Sequence, residues 1–134
     1  MRSENHPAVL LNSSYFVLLG QSGSTSQRPT YPKAGAVFIN TDVDVATWFD
    51  GAIWRQATGE AADTVSAAAS WETSSETITL SATAPTWITE GMSVYDVTLG
   101  DAVGTVSSVS GTTVALTADA SHASSGSSDL LLFY

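Results

Sequence analysis

The chain has no cysteine among its 134 residues. Neither a disulfide framework nor a cysteine-ligated zinc ion can stabilise it, so stability must come from packing or from assembly. Long apolar runs are also missing, because Asn12-Ser13-Ser14 interrupts the longest one, 8–19, which falls short of the roughly 20 residues that a membrane span needs. The same break makes a poor signal peptide. We therefore expect synthesis in the cytoplasm, no cleaved export signal and no membrane partner.

Basic residues are scarce and do not occur in the second half of the chain. The four that occur lie in the first 55 positions, whereas nine acids and no lysine or arginine follow from Gln56 onward. An acidic half of this kind repels phosphate backbones, so we expect no nucleic-acid partner. Two interpretations of the acidity stay open: simple solubility, or complementarity to a basic partner surface. The basic residues are Arg2, Arg28, Lys33 and Arg55.

No pattern in the sequence indicates a catalytic site. The two histidines, His6 and His122, are far apart in the sequence, and neither has a nearby base or orienting group that would tune it. A glycosidase needs two carboxylates held across a sugar cleft, whereas most acids here fall in predicted loops or at strand ends. We therefore expect no enzymatic activity and no cofactor.

One short acidic stretch has the spacing that opens a calcium-binding loop. Its polar residues alternate as in such a loop, yet the sixth position holds valine instead of glycine, and the twelfth holds glycine instead of glutamate. The turn chemistry of asparagine and aspartate accounts better for the pattern, so we expect a hairpin turn and no metal site. The residues concerned are Asn40, Asp42 and Asp44, with Val45 and Gly51 at the two discrepant positions.

Residues 36–57 have the composition of three short antiparallel strands. Polar residues 40–44 and the dipeptide Asp50-Gly51 separate the apolar stretches, and Asp-Gly is among the strongest hairpin signals. Trp48 and Trp54 suit neighbouring strands, where aromatic pairs add cross-strand packing. Stacking of the same two tryptophans on a glycan stays open as a second interpretation.

Residues 77–134 alternate valine or larger apolar residues with serine, threonine and glycine, a pattern typical of strands. Ser110-Gly111 should turn a tight hairpin, since glycine readily takes the positive φ that such a turn needs. The predicted strands cover 77–82, 92–95, 104–109, 113–118 and 130–134.

Two segments lack a clear sheet pattern. Residues 1–35 should form an extended arm, because prolines and Gly-Ser stretches favour extended chain and loops. Within the arm, the apolar run 15–19 needs cover on both faces, from its own domain or from a neighbouring subunit. Residues 58–76, rich in alanine, serine and threonine, should link the two halves, with room for two helical turns over 61–69.

Two stretches resemble modules of bacteriophage virion proteins. Residues 35–56 are similar to a small β-meander of tail fibres and other virion proteins, in which an apolar strand runs into Asn-Thr-Asp, then an aromatic strand, then Asp-Gly before a tryptophan. Residues 77–134, with GMSV, GTVSSVSGTTVALTADA and LLLF, resemble a short β-rich module of virion and fibre proteins. The second pattern is the more specific one. Residues 96–101 depart from it, because the family usually has a Gly-Ile-Pro-type loop there, and we expect this departure to lie at an exposed tip.

The resemblance implies an all-β structural protein of the virion. We expect a small antiparallel β-barrel or sandwich with an extended N-terminal arm, assembled as a homo-oligomer and, by family analogy, a trimer. The leading hypothesis is a capsid cement or decoration protein that binds the major capsid protein on the capsid exterior. Its predicted parts are an arm (1–35), a β-meander (36–57), a linker (58–76) and a barrel-like module (77–134).

The arm is expected to carry the capsid contact, through apolar side chains positioned by two arginines. Deletion of residues 1–30 should then abolish capsid binding and leave the β-domain folded. The alternative is a short tail fibre, tail adaptor or host-glycan-binding tail module, with Trp48 and Trp54 as the glycan contacts. The predicted capsid-contact residues are Arg2, Tyr15, Phe16, Leu18, Leu19 and Arg28.

Overall fold

The computed structural model describes residues 21–67, 71–126 and 128–134, and nearly all of its regular structure is β-strand. The predicted all-β class is therefore confirmed. Residues 1–20, most of the predicted arm, lie outside the described residues. The strands are β1 (Ser22–Gly23), β2 (Val37–Asn40), β3 (Val45–Phe49), β4 (Trp54–Gln56), β5 (Asp63–Ala67), β6 (Thr77–Thr79), β7 (Ser93–Asp96), β8 (Asp101–Ser110), β9 (Thr113–Leu116) and β10 (Asp129–Phe133), with a short 3-10 helix at Thr25–Gln27.

The strands form two open sheets. The first has the order β1-β2-β3-β4, and the second has the order β5-β10-β7-β8-β9-β6. β1 runs parallel to β2, and the other pairings among the described strands are antiparallel. Because neither sheet closes on itself, the fold is sandwich-like. Of the two predicted architectures, the sandwich is observed and the closed barrel is not.

Residues 36–57 form the predicted three-stranded meander, β2-β3-β4. In its first turn, the Asn40 side-chain oxygen accepts the Asp42 backbone N–H at 3.0 Å, and Asp44 takes a φ of 55°. In the second turn, Asp50 Oδ1 accepts the backbone N–H groups of Ala52 and Ile53, at 2.8 and 2.9 Å. The second turn therefore spans four residues, 50–53, and not the two predicted, because the Asp50 carboxylate organises the wider loop.

The strands predicted in the second half are all present, as β6 to β10. β8 and β9 form the predicted hairpin, with Ser110 opposite Thr113 and Gly111 at a φ of 58°. Apart from its two chain neighbours, no described residue has an atom within 4 Å of where a Cβ on Gly111 would be, so backbone conformation alone selects glycine there. The sequence therefore placed this hairpin correctly.

The prediction of a linker with helical turns is wrong for the middle of 58–76. β5, Asp63–Ala67, lies inside that range and pairs along its whole length with β10. Short polar and small residues gave β5 a weak local signal, but pairing with an apolar strand more than 60 residues later supplies the stabilisation that local propensity lacks. The second sheet therefore begins within the predicted linker.

One apolar core lies on one face of the second sheet, and its buried residues all fall between Trp71 and Phe133. The meander contributes none of them. Instead it has a smaller aromatic cluster, in which Trp54 packs against Phe38 and Phe49 with ring centroids 6.3 and 5.6 Å away. The two halves of the chain therefore have separate apolar centres.

Strand β10 is buried on both faces, which shows how the two halves meet. Leu131 and Phe133 point into the core, while Leu132, on the opposite face, is also buried. Leu132 lies opposite Thr64 in the register, so the two side chains share that second face. The Arg28 side chain donates to Thr64 Oγ1 at 3.3 Å. The first half of the chain therefore contacts the second sheet on the face away from the core.

Candidate interaction site

Five of the six predicted capsid-contact residues lie outside the described part of the chain. The predicted capsid contact of these five residues therefore stays a prediction: Arg2, Tyr15, Phe16, Leu18 and Leu19. The sixth, Arg28, is described, and its surroundings can be compared directly with the predicted role.

Arg28 lies at the junction between the two halves of the chain. Its Nη2 atom is 2.7 Å from Asp63 Oδ1, and its Nη1 atom donates to the Ala62 carbonyl oxygen at 3.1 Å. The guanidinium carbon lies 5.1 Å from the centroid of the Trp54 ring, a cation–π arrangement. Arg28 therefore joins the meander, through Trp54, to the start of β5.

This geometry corrects the predicted role of Arg28 as a capsid contact. Only 6% of its side chain is exposed, and its donors already serve partners within the chain. Burial lowers the pKa of Arg28 by more than the Asp63 carboxylate raises it. The guanidinium nevertheless stays charged at any ordinary pH. The sequence predicted Arg28 to contact a partner at the surface, whereas in the fold Arg28 contacts other parts of its own chain.

The two tryptophans proposed as glycan contacts differ sharply in exposure. Trp54 is 3% exposed and is enclosed by the aromatic cluster and Arg28, so it presents no ring face to a ligand, and its predicted glycan contact is wrong. Trp48 is 36% exposed, and its indole N–H donates to the Gln56 carbonyl oxygen at 3.1 Å. Of the pair, only Trp48 stays accessible.

The residues that suggested a calcium loop are used within the chain. Asp42 Oδ2 accepts the Thr25 backbone N–H at 2.7 Å, and the Asn40 amide donates to Thr25 Oγ1 at 2.7 Å. These bonds fix the 3-10 helix beside the first turn of the meander. Across the ranges that the structure describes, no group of three or more histidine, aspartate or glutamate side chains has the arrangement of a metal site.

Two fully buried carboxylates lie at one end of the core. Asp96 is opposite Leu131 in the β7–β10 register, and Asp129 lies two residues before Leu131, so both side chains are on the core face. Asp129 accepts the Ser125 backbone N–H at 2.9 Å, and Asp96 Oδ1 accepts those of Thr98 and Leu99. The sequence placed 96–101 at an exposed tip, which is wrong for Asp96.

Asp96 is held in a setting that disfavours its charge. Among the described residues, its Oδ2 atom has no hydrogen-bond partner. Burial raises the pKa of Asp96, and the Asp129 carboxylate adds to the rise, while the two backbone donors and His122 act in the opposite direction. The rise means that ionising this carboxyl costs folding free energy.

We expect Asp96→Asn to raise the free energy of unfolding at pH 7 by about 1 kcal/mol, because the neutral amide avoids the cost of ionising a buried carboxyl. A carboxyl whose pKa is raised by folding stabilises the fold at low pH and loses that contribution as pH rises through the folded pKa. The gain should therefore vanish near the ordinary aspartate pKa. Urea denaturation of both proteins at several pH values measures it.

Asp101→Asn is the matched control for that prediction. Asp101 lies opposite Asp96 in the β7–β8 register but is exposed, so its substitution should leave stability nearly unchanged. A loss of stability for Asp96→Asn at pH 7 would show that the ionised carboxylate, with its two backbone donors, contributes to the fold.

A groove of about 710 Å³ separates the end of the meander from the second sheet. Both halves of the chain line it, so no single stretch of sequence marks it. Trp87 and Tyr134, both half-buried, supply aromatic surface, and the side chains of Glu60 and Glu90 are exposed beside it. Sequence reasoning missed these four residues, because their proximity depends on how the two sheets pack.

The described surface is strongly acidic. Arg2 and Glu4 cancel within the first 20 residues, so the formal net charge of −9 belongs entirely to the rest of the chain. Both arginines in the described ranges pair with aspartates: Arg28 with Asp63, and Arg55 with Asp50 at 2.6 Å. Internal pairing thus uses part of the scarce positive charge and leaves most carboxylates facing solvent.

Comparisons of the chain with known protein families, with curated proteins and with solved structures found no match. Within the described ranges, no helix is long and apolar enough to cross a membrane. The surface, the groove and the sequence resemblance are therefore the features that bear on function.

Proposed function

We propose that the protein is a structural component of a bacteriophage virion, a cement or decoration protein that binds the major capsid protein and stabilises the shell as a homo-oligomer. It acts without catalysis. Each copy bridges neighbouring capsid subunits, and the buried contact area resists outward pressure. The resemblance of residues 35–56 and 77–134 to virion modules supports the proposal, and both stretches fold into the strands that this resemblance implies.

The observation that carries the proposal is the unequal distribution of exposed apolar side chains. Among the residues that the structure describes, three of the four exposed large apolar residues belong to the first half: Tyr31 at 95%, Ile39 at 38% and Trp48 at 36% exposure. The second half instead has nine acids and no base. A first half with exposed apolar side chains is suited to burial against a shell, and an acidic second half is suited to contact with solvent.

The position of strand β1 also agrees with a contact made by the arm. β1 is an outer strand of the first sheet, and the described chain begins immediately before it. Gln21 accepts the Ile39 backbone N–H at 2.9 Å, which ties that point to β2. The sheet that begins with β1 is therefore also the one that has exposed Ile39 and Trp48.

The copy number of the protein in purified virions tests the proposal. A cement protein should occur in a number comparable to the major capsid protein, measured by quantitative mass spectrometry against that protein. Absence from virions would overturn the virion assignment, and a few copies per particle would overturn the capsid assignment.

The arm contact needs a different variant from the deletion of 1–30. That deletion would remove β1 and Arg28, and so would damage the fold. The double substitution Phe16→Ser and Leu19→Ser in the full chain avoids this problem. We expect it to abolish binding to purified shells with an unchanged circular dichroism spectrum; undiminished binding would contradict the arm contact.

A tail-associated module that binds host glycans is the second candidate, because Trp48 is exposed on the meander. It predicts only a few copies per virion. It also predicts glycan binding that is lost in Trp48→Ala while the protein stays folded. Loss of glycan binding in that variant together with a low copy number would favour the tail over the capsid.

A further inference from the structure

We infer that the groove between the two sheets is a binding site for a lysine or arginine side chain presented by an extended segment of the partner protein. The inference deepens the proposed function and rests on it for the partner's identity, a capsid protein with a basic segment. The site itself is argued from the charge, the aromatic surface and the size of the groove.

The charge of the groove favours a cation. Glu60 and Glu90 line it, and Arg55 is the single basic residue among its lining side chains. That guanidinium is already paired with Asp50, whose pKa its hydrogen bonds lower to about 2, so the pair stays ionised above acidic pH. The two glutamates are therefore left to attract a ligand, and the net charge of −9 adds long-range attraction for a basic partner.

The groove also offers aromatic surface that is held in place. Trp87 packs edge-to-face against buried Phe133, with ring centroids 6.2 Å apart. The backbone of Tyr134 is fixed to Ser93 by two hydrogen bonds, at 2.8 and 3.1 Å. A lysine or arginine over such a ring gains a cation–π contribution, for which tryptophan is the best partner. The carboxylates would contact the charge of the lysine or arginine side chain, and the aromatic rings would contact its alkyl stem.

The size of the groove suits a side chain with its flanking backbone. Its volume, about 710 Å³, lies within the range of roughly 300 to 1,000 Å³ that ligand pockets occupy. A neutral sugar could also stack on Trp87, but it would gain nothing from the surplus of negative charge. The charge of the lining therefore selects a cationic side chain.

The test is calorimetric titration of the full-length protein with a hexalysine peptide at low and at moderate salt. The decisive variant is Glu60→Gln with Glu90→Gln, and the matched control is Glu72→Gln with Glu76→Gln. The control changes net charge equally at two exposed glutamates that do not line the groove. We expect the groove variant to weaken hexalysine binding about tenfold and the control about twofold or less.

A second variant pair tests the aromatic surface. Trp87→Leu should weaken binding several-fold further and Trp87→Phe should retain most of it, because only the phenyl ring preserves a cation–π partner. Thermal melts identify any variant that has lost its fold. If a Trp87 variant unfolds, the substitutions at exposed Glu60 and Glu90 still test the inference.

Equal weakening by the two glutamine pairs would overturn the inference, because it would show diffuse attraction to the acidic surface. Absence of hexalysine binding, or binding of a neutral oligosaccharide that Glu60→Gln with Glu90→Gln leaves unchanged, would also overturn it. The two proposals fail separately: virions with many copies but no hexalysine binding would leave the cement function standing. If the protein binds hexalysine through the groove but is absent from virions, the binding site would stand and the cement function would fail.

Discussion

Replacement of Arg28 with alanine should lower the free energy of unfolding by about 3 kcal/mol, as expected when one partner of a buried ion pair is removed. The substitution would leave the Asp63 carboxylate with neither its counter-ion nor its strongest donor, in a position where 19% of that side chain is exposed. It would also remove the donor to the Ala62 carbonyl and the cation over Trp54. Urea denaturation followed by tryptophan fluorescence measures the loss.

Three control variants separate the causes of that loss. Arg28→Lys keeps the charge but not the planar fork, so it should lose a substantial part of the same stability. Arg55→Ala removes the other described arginine, whose ion pair is more exposed, and should cost much less. Adding Asp63→Ala to Arg28→Ala should recover part of the loss, since no unpaired carboxylate then stays at the junction. A wild-type midpoint for Arg28→Ala would contradict the role of this link.

Phe133→Ala should lower the free energy of unfolding by about 4 kcal/mol, within the range for loss of a buried phenylalanine. Phe133 is fully buried on β10, between β5 and β7 in the sheet, and it touches the half-buried Trp87. The cavity would lie on the second strand of the larger sheet, where the neighbouring strands β5 and β7 limit relaxation. Guanidinium denaturation at fixed pH measures the change in stability.

Phe133→Leu is the conservative counterpart and should cost about 1 kcal/mol, because most of the volume and all of the apolar character stay. The same variant removes the ring that supports Trp87, so hexalysine binding should weaken in a protein that stays folded. A loss of stability for Phe133→Ala no larger than for Phe133→Leu would show that the core collapses around the gap.

Much of the strand pattern could be predicted from local sequence. The β8–β9 hairpin follows from apolar residues interspersed with serine and threonine on either side of Gly111, and the meander follows from turn residues between apolar stretches. In both cases the partners lie within about a dozen residues, so the information that specifies the pairing is local. The all-β class followed from the same patterns.

The features that sequence could not predict depend on distant partners. β5 is specified by pairing with β10, and its own serine, threonine and alanine residues gave no clear signal. Arg28 resembles any surface arginine until the fold places Asp63 and Trp54 around it. Asp96 resembles a loop acid until β10 places Asp129 beside it in the core. The groove is missed for the same reason, since its lining comes from both halves.

The place of β10 in the second sheet has a consequence for the order of events during synthesis. This strand lies between β5 and β7, yet it is the last of the described strands to leave the ribosome. Until β10 arrives, the facing edges of β5 and β7 have no partner. The chain must then close a loop of more than 60 residues to bring β10 beside β5. Nascent chains should therefore be most prone to aggregate before β10 emerges, and a chaperone that shields open strand edges should raise the yield of folded protein.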